Sequence, residues 1–229
     1  MEKARVLLIE RRRHWLEGLS HLSHHSHRTR GTTRAGMVAL ALWLGCAAQG
    51  AMGFTTVVID PGHGGMDRGG IPGQRVPEKV MTLDTARRLE LRLRAAGFRT
   101  IMTRRDDTFV SLPQRVAIAN AHRDAIFISI HYNAAPRAAA EGFETYYFSK
   151  RSAKLAAACY SRIVRAWPGS RRGGRTRGFF VIRKTSIPSV LVEPGFLTNP
   201  WEAARICQPE TRQRIADLLA AAIISRSGR

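Results

Sequence analysis

The sequence predicts a single α/β domain in which helices cover both faces of a twisted, mostly parallel central sheet. Three observations support this fold class. Short apolar runs of strand length recur from residue 54 onward, segments with helical periodicity lie between them, and 229 residues with 44% apolar content are enough for one domain with a full core. Strands that alternate with helices favour a sheet that carries its helices on the faces.

The first half of this domain alternates strand and helix. TTVVID, at 55–60, predicts a buried strand, and the segment 78–97 has apolar side chains on one helical face and ends at Gly97. FRTIMTR, at 98–104, is a second strand. SLPQRVAIANAH is a short helix for which Ser111 is a suitable N-cap.

The second half adds four predicted strands and two predicted helices, in the order AIFISIHYN (125–133, strand), EGFETYYFS (141–149, strand), SAKLAAACYSRIVRAW (152–167, helix), FFVIR (179–183, strand), SVLVEPGF (189–196, strand) and TRQRIADLLAAAII (211–224, helix). Between them, PGSRRGGRTRG at 168–178 is rich in glycine and arginine. That composition predicts a mobile cationic loop.

The formal charge of +20 points to polyanionic partners. Residues 1–36 hold eight basic and three acidic residues, a net of +5, so the remainder of the chain carries +15. Such a surface should gather on nucleic acid, on an anionic membrane or on an acidic wall polymer. Charge alone does not choose among these partners.

Residues 1–52 predict a basic leader and signal peptide, and residues 53–229 predict the folded domain. After Arg34, the apolar stretch GMVALALWLGCAA is followed by small residues in AQGA. The stretch is shorter than the roughly 20 residues of a membrane-spanning helix, and its flanks match a secretory signal. A short membrane anchor or a buried helix is the alternative. We therefore expect export to the periplasm or to the outside of the cell.

Two histidines follow directly on apolar strands. Five of the eight histidines lie in the leader, whereas His63 in DPGHGG and His131 in FISIHYN stand at predicted strand ends. Open α/β sheets bind ligands at the carboxyl ends of their strands. Either histidine alone is more often structural than functional, but the shared position makes both of them candidate ligands.

Two carboxylates complete a candidate site. Glu78 opens the first helix, where the helix dipole favours negative charge, and on its own such a residue is usually only stabilising. Together with His63 and His131, however, it makes the open set of two imidazoles and one carboxylate that hydrolytic zinc uses. Glu193 leaves the apolar strand in VLVEPGF, where a lone carboxylate is costly unless it is paired or functional. An ion pair with an arginine such as Arg183 is the alternative.

Several ordered motifs together resemble one enzyme family. In order, DPGHGG, the glutamate that opens the next helix, SIHYNAA, GFETYYFS and IPSVLVEPGFLTN resemble the zinc-dependent N-acetylmuramoyl-L-alanine amidases, the amidase type 3 catalytic domains of bacterial cell-wall amidases and of sporulation or phage lysis enzymes. The resemblance extends from about residue 56 to the C-terminus. SLPQRVAIAN also looks like the family's helix before the second histidine.

The resemblance implies a metal, a catalytic residue and a substrate. One Zn²⁺ per chain would be held by His63, Glu78 and His131 at the carboxyl ends of the strands, and Glu193 would be the catalytic glutamate. The substrate would be peptidoglycan, cut at the amide between N-acetylmuramic acid and the L-alanine of the stem peptide. General chemistry agrees, because Zn²⁺ lowers the pKa of bound water to about 7 and a carboxylate with a raised pKa can both take and return a proton.

Four further residues carry weaker signals. Asp67, which follows the DPGHGG motif, should orient its loop. Asn133 faces the same side of its strand as His131 and should contact substrate or fix the ligands, and Arg183 is a further candidate substrate contact. Glu144, on the next strand, is a candidate hydrogen-bond partner of a ligand histidine, and the alternative is that it covers an exposed face.

Three other functions compete with this interpretation. A zinc peptidase acting on the stem peptide would use the same ligands, and a non-catalytic wall-binding module would lack a ligand, although none is missing. A nucleic-acid binder would place aromatic residues among its arginines, and 168–178 contains none.

The sequence does not indicate an oligomeric state. We expect peptidoglycan as the partner, together with anionic wall or outer-membrane polymers on the basic surface (Arg171, Arg172, Arg175 and Arg177), and no nucleic acid.

Overall fold

The computed structural model describes residues 53–71, 73–166 and 171–228, so the predicted leader and signal peptide at 1–52 lie outside the described residues. Its strands are β1 (Thr56–Pro61), β2 (Arg99–Met102), β3 (Ala125–Ile130), β4 (Phe143–Tyr147), β5 (Arg171–Thr176) and β6 (Ser189–Glu193). Its helices are α1 (Glu78–Ala95), α2 (Leu112–Asn120), α3 (Ala153–Ala166), α4 (Phe180–Lys184), α5 (Pro200–Ile206) and α6 (Pro209–Ser227), and a 3₁₀ turn at Lys150–Ser152 precedes α3.

The six strands form one sheet in the order β2-β1-β3-β6-β4-β5. β2, β1, β3 and β6 are parallel to one another, and β4 runs antiparallel to β6 with β5 parallel to it. The prediction of a mostly parallel sheet is therefore confirmed.

Helices cover both faces of the sheet, as alternate residues of β1 show. Val57 and Ile59 point to one face and pack in a core with residues of α1, α3 and α6, such as Leu89 of α1. Val58 points to the other face and packs with residues of α2 and α4, such as Ile182 of α4. A two-sided apolar core explains why the central strands are apolar throughout rather than alternating.

Two predicted elements are wrong, and one helix was not predicted. FFVIR is the short helix α4, because an apolar run of five residues does not distinguish a strand from a buried helical turn. RRGGRT is not a loop but the edge strand β5, which is held by backbone pairing with β4 and carries the arginines typical of protected edges. Helix α5 was not predicted. It begins where the Asn199 side chain accepts hydrogen bonds from the backbone N–H groups of Trp201 and Glu202, and asparagine is a favoured N-cap residue.

The strand order decides where the candidate residues meet. β1, β3 and β6 are adjacent and parallel, so their carboxyl ends lie side by side at one rim of the sheet. His63 lies two residues beyond β1, His131 directly follows β3, and Glu193 is the last residue of β6. Among the described residues, no helix has the combination of length and apolar character that crossing a membrane requires.

Candidate metal centre

His63, Glu78 and His131 converge on one point at this rim. The Nε2 atom of His63 lies 3.0 Å from Oε2 of Glu78 and 3.1 Å from Nδ1 of His131, and that Nδ1 lies 2.9 Å from Oε1 of Glu78. One ligand atom from each residue lies within 4.8 Å of the others, so the three form a group able to hold a metal ion.

The donor set and its spacing fit zinc. Two imidazole nitrogens and one carboxylate oxygen are the protein ligands of many hydrolytic zinc sites, which leave the fourth position open. Ligand bonds of about 2.0 Å in a tetrahedron separate the ligand atoms by roughly 3.3 Å, close to the separations of 2.9–3.1 Å observed between these side chains. The three side chains predicted as ligands therefore lie close enough together to hold one metal ion.

The backbone of the loop after β1 brings the two imidazoles together. His63 has a positive φ of 61°, a left-handed conformation that is uncommon outside glycine. A Cβ on Gly62 would lie 2.3 Å from Cε1 of His131, and a Cβ on Gly69 would lie 2.6 Å from Oε2 of Glu78. Glycine at these two positions lets the backbone run directly against the ligand side chains.

Two buried arginines fix this loop through its carbonyl groups. Arg115, from α2, donates from Nη1 to the Pro61 carbonyl and from Nη2 to the His63 carbonyl, both at 2.7 Å. Arg104, which follows β2, donates to the carbonyls of Pro61 (3.1 Å) and Gly62 (2.8 Å). Since guanidinium groups donate in a rigid planar fork, these contacts set the direction of the loop that carries His63.

Glu78 is the first residue of α1 and is held from two sides. Its Oε1 accepts from the backbone N–H of Tyr132 at 2.9 Å, and its Oε2 accepts from that of Gly70 at 3.1 Å. Burial favours the protonated form, but the hydrogen bonds and charges of His131 and His63 outweigh burial and hold the pKa of Glu78 at about 2. The Glu78 carboxylate is therefore ionised at neutral pH and ready to bind a cation.

Asp67 contacts His63 from the side away from Glu78. Its Oδ2 lies 2.8 Å from Nδ1 of His63. Burial alone would lower the pKa of His63, but the interactions with Glu78 and Asp67 outweigh burial and raise it. A carboxylate on the second ring nitrogen fixes the orientation of a ligand histidine, which agrees with the orienting role expected of Asp67.

Glu193 ends β6 with an unsatisfied carboxylate. Its Oε2 is buried and has no hydrogen-bond partner among the described residues. Burial, followed by the negative charges of Glu78 and Glu144, raises the pKa of Glu193 well above its ordinary value. Arg183, the alternative ion-pair partner, is exposed on α4 and donates from Nε to the Gly178 carbonyl at 3.3 Å. Arg183 is therefore not the ion-pair partner of Glu193, and a substrate contact by Arg183 stays a prediction.

Glu144 and Asn133 bind each other instead of a ligand histidine. Oε2 of Glu144 accepts from Nδ2 of Asn133 at 2.6 Å and from the hydroxyl of Tyr146 at 2.7 Å. We expected Glu144 to be the partner of a histidine, and that expectation is wrong because the antiparallel pairing of β4 with β6 puts Glu144 opposite Glu193. At that position its hydrogen-bond partners are Asn133, which follows β3, and Tyr146 of β4 itself.

Sequence reasoning missed the two buried arginines. Arg115 lies in the predicted helix SLPQRVAIAN, which resembles a helix of the amidase family and has Arg115 as its one charged residue. A guanidinium inside an otherwise apolar helical face is seldom buried unless it is paired, and that was the available signal. Arg104 lies two residues after β2. No pattern in the sequence indicates that its side chain reaches the carbonyl groups of the DPGHGG loop.

The described part of the chain has a groove and a smaller cavity. The groove, of about 640 Å³, is lined by Ile71 and by residues of the segments 73–76, 135–138 and 197–207, and none of the three candidate ligands lines it. A smaller cavity of about 100 Å³ is lined by His63 and His131 together with apolar side chains such as Phe109, Leu112 and Val181. The smaller cavity is therefore the one that opens directly onto the two histidines.

The fold and the site together define a class of protein. An α/β domain that presents two imidazoles, an ionised carboxylate and a second carboxylate of raised pKa at the carboxyl ends of its strands has the arrangement of a hydrolase catalytic domain with a candidate metal site.

Comparison with known proteins identifies the family. Residues 57–225 match the N-acetylmuramoyl-L-alanine amidase family, so the chain belongs to that family. The chain is 38% identical over 168 residues to N-acetylmuramoyl-L-alanine amidase LytC of Bacillus subtilis, a match that covers 72% of this chain and 34% of LytC. It is 38% identical over 161 residues to the probable cell wall amidase LytH of Staphylococcus epidermidis, which covers 69% of this chain and 53% of LytH.

A solved structure shows the same fold. The catalytic domain of CwlV, an N-acetylmuramoyl-L-alanine amidase from Bacillus (Paenibacillus) polymyxa var. colistinus, aligns with a TM-score of 0.71 at 36% identity, covering 74% of this chain and 96% of that domain. The chain thus spans about a third of LytC and about half of LytH but nearly all of a catalytic domain. What it shares with these relatives is the amidase catalytic domain.

Proposed function

We propose that this chain hydrolyses the amide between the lactyl group of N-acetylmuramic acid and the L-alanine of the peptidoglycan stem peptide. In this proposal one Zn²⁺ is held by His63, Glu78 and His131, and Glu193 is the general base and acid. The observation that carries the proposal is the convergence of three ligand atoms within 4.8 Å at the rim where Glu193 ends β6, in a chain of the amidase family.

Each residue has a role that follows from its surroundings. When bound, Zn²⁺ supplies a water of pKa about 7 and polarises the scissile carbonyl. Glu193 would accept a proton from the attacking water and return it to the amine of the leaving L-alanine, two tasks that a carboxylate with a raised pKa can perform. Asp67 holds the His63 ring from Nδ1, and Glu78 supplies the negative charge that offsets the cation.

Product analysis tests the reaction. Purified protein digested with isolated sacculi should release intact stem peptides with a free L-alanine amino terminus and leave the glycan strands uncut. Peptides shortened inside the stem would indicate the zinc peptidase instead. Binding to sacculi without any released product would indicate the non-catalytic wall-binding module.

Metal analysis tests the assignment of roles. Glu78→Ala should lose zinc together with activity, whereas Glu193→Ala should keep zinc and lose turnover. Retention of stoichiometric zinc by Glu78→Ala, or full turnover by Glu193→Ala, contradicts the assignment. Glu210→Ala, an exposed carboxylate on α6, is the matched control and should behave as the wild type in both assays.

We also propose that the protein is exported and meets the wall through its basic surface. The leader composition at 1–52 and the family of cell-wall amidases support export, and amino-terminal sequencing of the mature protein from its native host tests it. Arg177, an exposed member of the basic surface predicted from the sequence, and the exposed cations Arg151, Arg183 and Lys184 would attract anionic wall polymers. Binding to sacculi should weaken steeply as salt rises, and binding that ignores ionic strength contradicts this part of the proposal.

A further inference from the structure

Two arginines of the edge strand β5 turn toward the rim that carries Glu193. The register between β4 and β5 shifts at Glu144, whose partner is Gly173, so that Arg172 is an extra residue in the pairing. Such a β-bulge re-aims a side chain. As a result, Nη1 of Arg172 and Nη2 of Arg175 both face Oε1 of Glu144, at 3.6 Å and 3.9 Å.

Arg172, Arg175 and Glu144 form a cluster whose charges do not balance. The two guanidinium groups share one carboxylate, and the other oxygen of Glu144 is occupied by Asn133 and the Tyr146 hydroxyl. Within the described part of the chain, the ion pairs that Arg172 and Arg175 make are with Glu144 alone. The cluster therefore keeps a net charge of about +1 at a place where both guanidinium groups reach solvent, with 27% and 47% of their side chains exposed.

The position of the cluster selects the anion that it can bind. Glu144 stands opposite Glu193 on the neighbouring strand, and adjacent strands are about 4.8 Å apart. With the further reach to the guanidinium groups, the arginines lie roughly 7–9 Å from the group that acts on the scissile amide. An extended peptide covers that distance in about two residues, at roughly 3.5 Å each.

We propose that Arg172 and Arg175 bind the free α-carboxylate of the second stem residue, D-glutamate, and so favour stem peptides in which this carboxylate is not amidated. The inference rests on the proposed function, because it places the first stem residue, L-alanine, at Glu193. A carboxylate takes up the excess positive charge beside Glu144 and accepts hydrogen bonds from two donors in fork geometry. The D-isoglutamine amide is neutral and offers one acceptor fewer.

Kinetics on two matched substrates test the proposal. We use disaccharide tetrapeptides that differ only at the second residue, D-glutamate or D-isoglutamine. The wild type should have the lower KM for the D-glutamate form. Arg175→Gln should raise that KM by at least about tenfold while leaving the KM for the D-isoglutamine form and both kcat values close to wild type. Arg172→Gln should act in the same direction.

The control is Arg99→Gln, an exposed arginine of β2 at the opposite edge of the sheet, which should change neither KM. Turnover of the D-isoglutamine form reports that each variant is folded. Equal KM values of the wild type for the two substrates, or an equal effect of Arg175→Gln on both, overturns the carboxylate site and leaves the amidase activity standing. Failure of the wild type to release L-alanine-terminated peptides from sacculi overturns the proposed function and this inference with it.

An interaction with anionic wall polymers would give a different result. In that case Arg172→Gln and Arg175→Gln would weaken binding to polymer-bearing sacculi but not to sacculi stripped of polymer, and the KM ratio of the two soluble substrates would stay at the wild-type value. That outcome overturns the assignment of these two arginines to the stem-peptide carboxylate.

Discussion

Glu193 and Glu78 are two carboxylates of one site whose surroundings separate their pKa values. The charges and hydrogen bonds of His131 and His63 hold the pKa of Glu78 at about 2, against the effect of burial. Burial and neighbouring negative charges raise the pKa of Glu193, and no side chain or backbone group in the described part of the chain hydrogen-bonds its Oε2. Groups whose pKa values diverge in this way take different chemical tasks, which supports the proposed cation binding by Glu78 and proton transfer by Glu193.

Replacement of Glu193 should stabilise the protein while it abolishes turnover. In the unfolded chain a glutamate ionises at about pH 4.3, and in the folded chain Glu193 ionises at a higher pH. Between these two values the folded state binds more protons than the unfolded state, so wild-type stability falls as pH rises through that window. Glutamine carries no such penalty.

We therefore expect Glu193→Gln to melt at a higher temperature than the wild type at pH 8, and the difference to vanish below about pH 4. Activity should fall by at least about 100-fold. Thermal melts of both proteins from pH 4 to pH 8, recorded in chelator to remove metal effects, measure the difference. A wild type that is equally or more stable at pH 8 would show that the carboxylate is satisfied after all.

Glu144 should control the acidic limb of the pH–rate profile. Glu193 must be ionised to accept a proton, so activity should rise as pH increases through the pKa of Glu193. Glu144→Gln removes one of the negative charges that raise this pKa, so the acidic limb should move to lower pH. Profiles of kcat/KM measure the shift, with Glu210→Gln on the exposed face of α6 as the control. An unmoved limb, or one displaced to higher pH, is the contrary result.

The residues with distinctive chemistry were predictable from sequence, and their supports were not. His63, Glu78, His131 and Glu193 each stand at the end of an apolar strand or the start of a helix, which is a local signal. The structure brings the first three together. The partners of Glu144 depend on how β4 pairs with β6 and β5, a long-range arrangement that leaves no local pattern, so its predicted histidine contact was wrong.

At the scale of single elements, the loop between β1 and α1 depends on arginines from outside it. Arg115 and Arg104 together donate to the carbonyls of three successive residues, from Pro61 to His63. Arg115 also donates to the buried carboxylate of Asp60 at 2.7 Å. Short helix α2 is therefore required for the position of His63, although it contributes no ligand itself.

Arg115→Lys should weaken metal binding in an intact fold. Lysine keeps the positive charge near Asp60 but cannot donate to two carbonyls and a carboxylate in one plane. The His63 backbone would then lose its anchor, and we expect metal affinity to fall by about 10- to 100-fold, the range found when the supports of metal ligands are removed. Competition with a chromophoric chelator measures the affinity.

Arg105→Lys is the matched control for Arg115→Lys, because Arg105 is an exposed arginine that pairs with Glu90 on α1. It should bind metal as the wild type does. Wild-type metal affinity in folded Arg115→Lys would show that the loop holds its conformation without the guanidinium fork.

Local composition predicted most elements and failed where pairing decides the outcome. TTVVID, AIFISI and SVLVE are apolar on both faces, so their burial as central strands could be foreseen. RRGGRT carries no apolar residue and becomes a strand only because β4 offers an unpaired edge. FFVIR is too short for its periodicity to separate a helix from a strand.

At the scale of the whole molecule, the sheet order is what assembles the site. The sequence pattern predicts that strands and helices alternate, but it does not predict that β1, β3 and β6 are neighbours in the sheet. That adjacency brings residues separated by more than 100 positions to one rim. The three candidate ligands belong to the loop after β1, to α1 and to the residue after β3, so a metal bound there would connect three separate parts of the fold.

Because those three parts meet at the proposed metal site, removal of the metal should lower the stability of the whole domain. A ligand that binds only the folded state stabilises it by about 4 kcal/mol when its free concentration is 1,000 times Kd, which for a domain of this size is on the order of 10 °C in Tm. We expect excess chelator to lower the wild-type Tm by about that amount and zinc to restore it. Glu78→Ala, which lacks one ligand, should show a Tm that responds to neither. An equal response of Glu78→Ala would place the stabilising metal elsewhere in the protein.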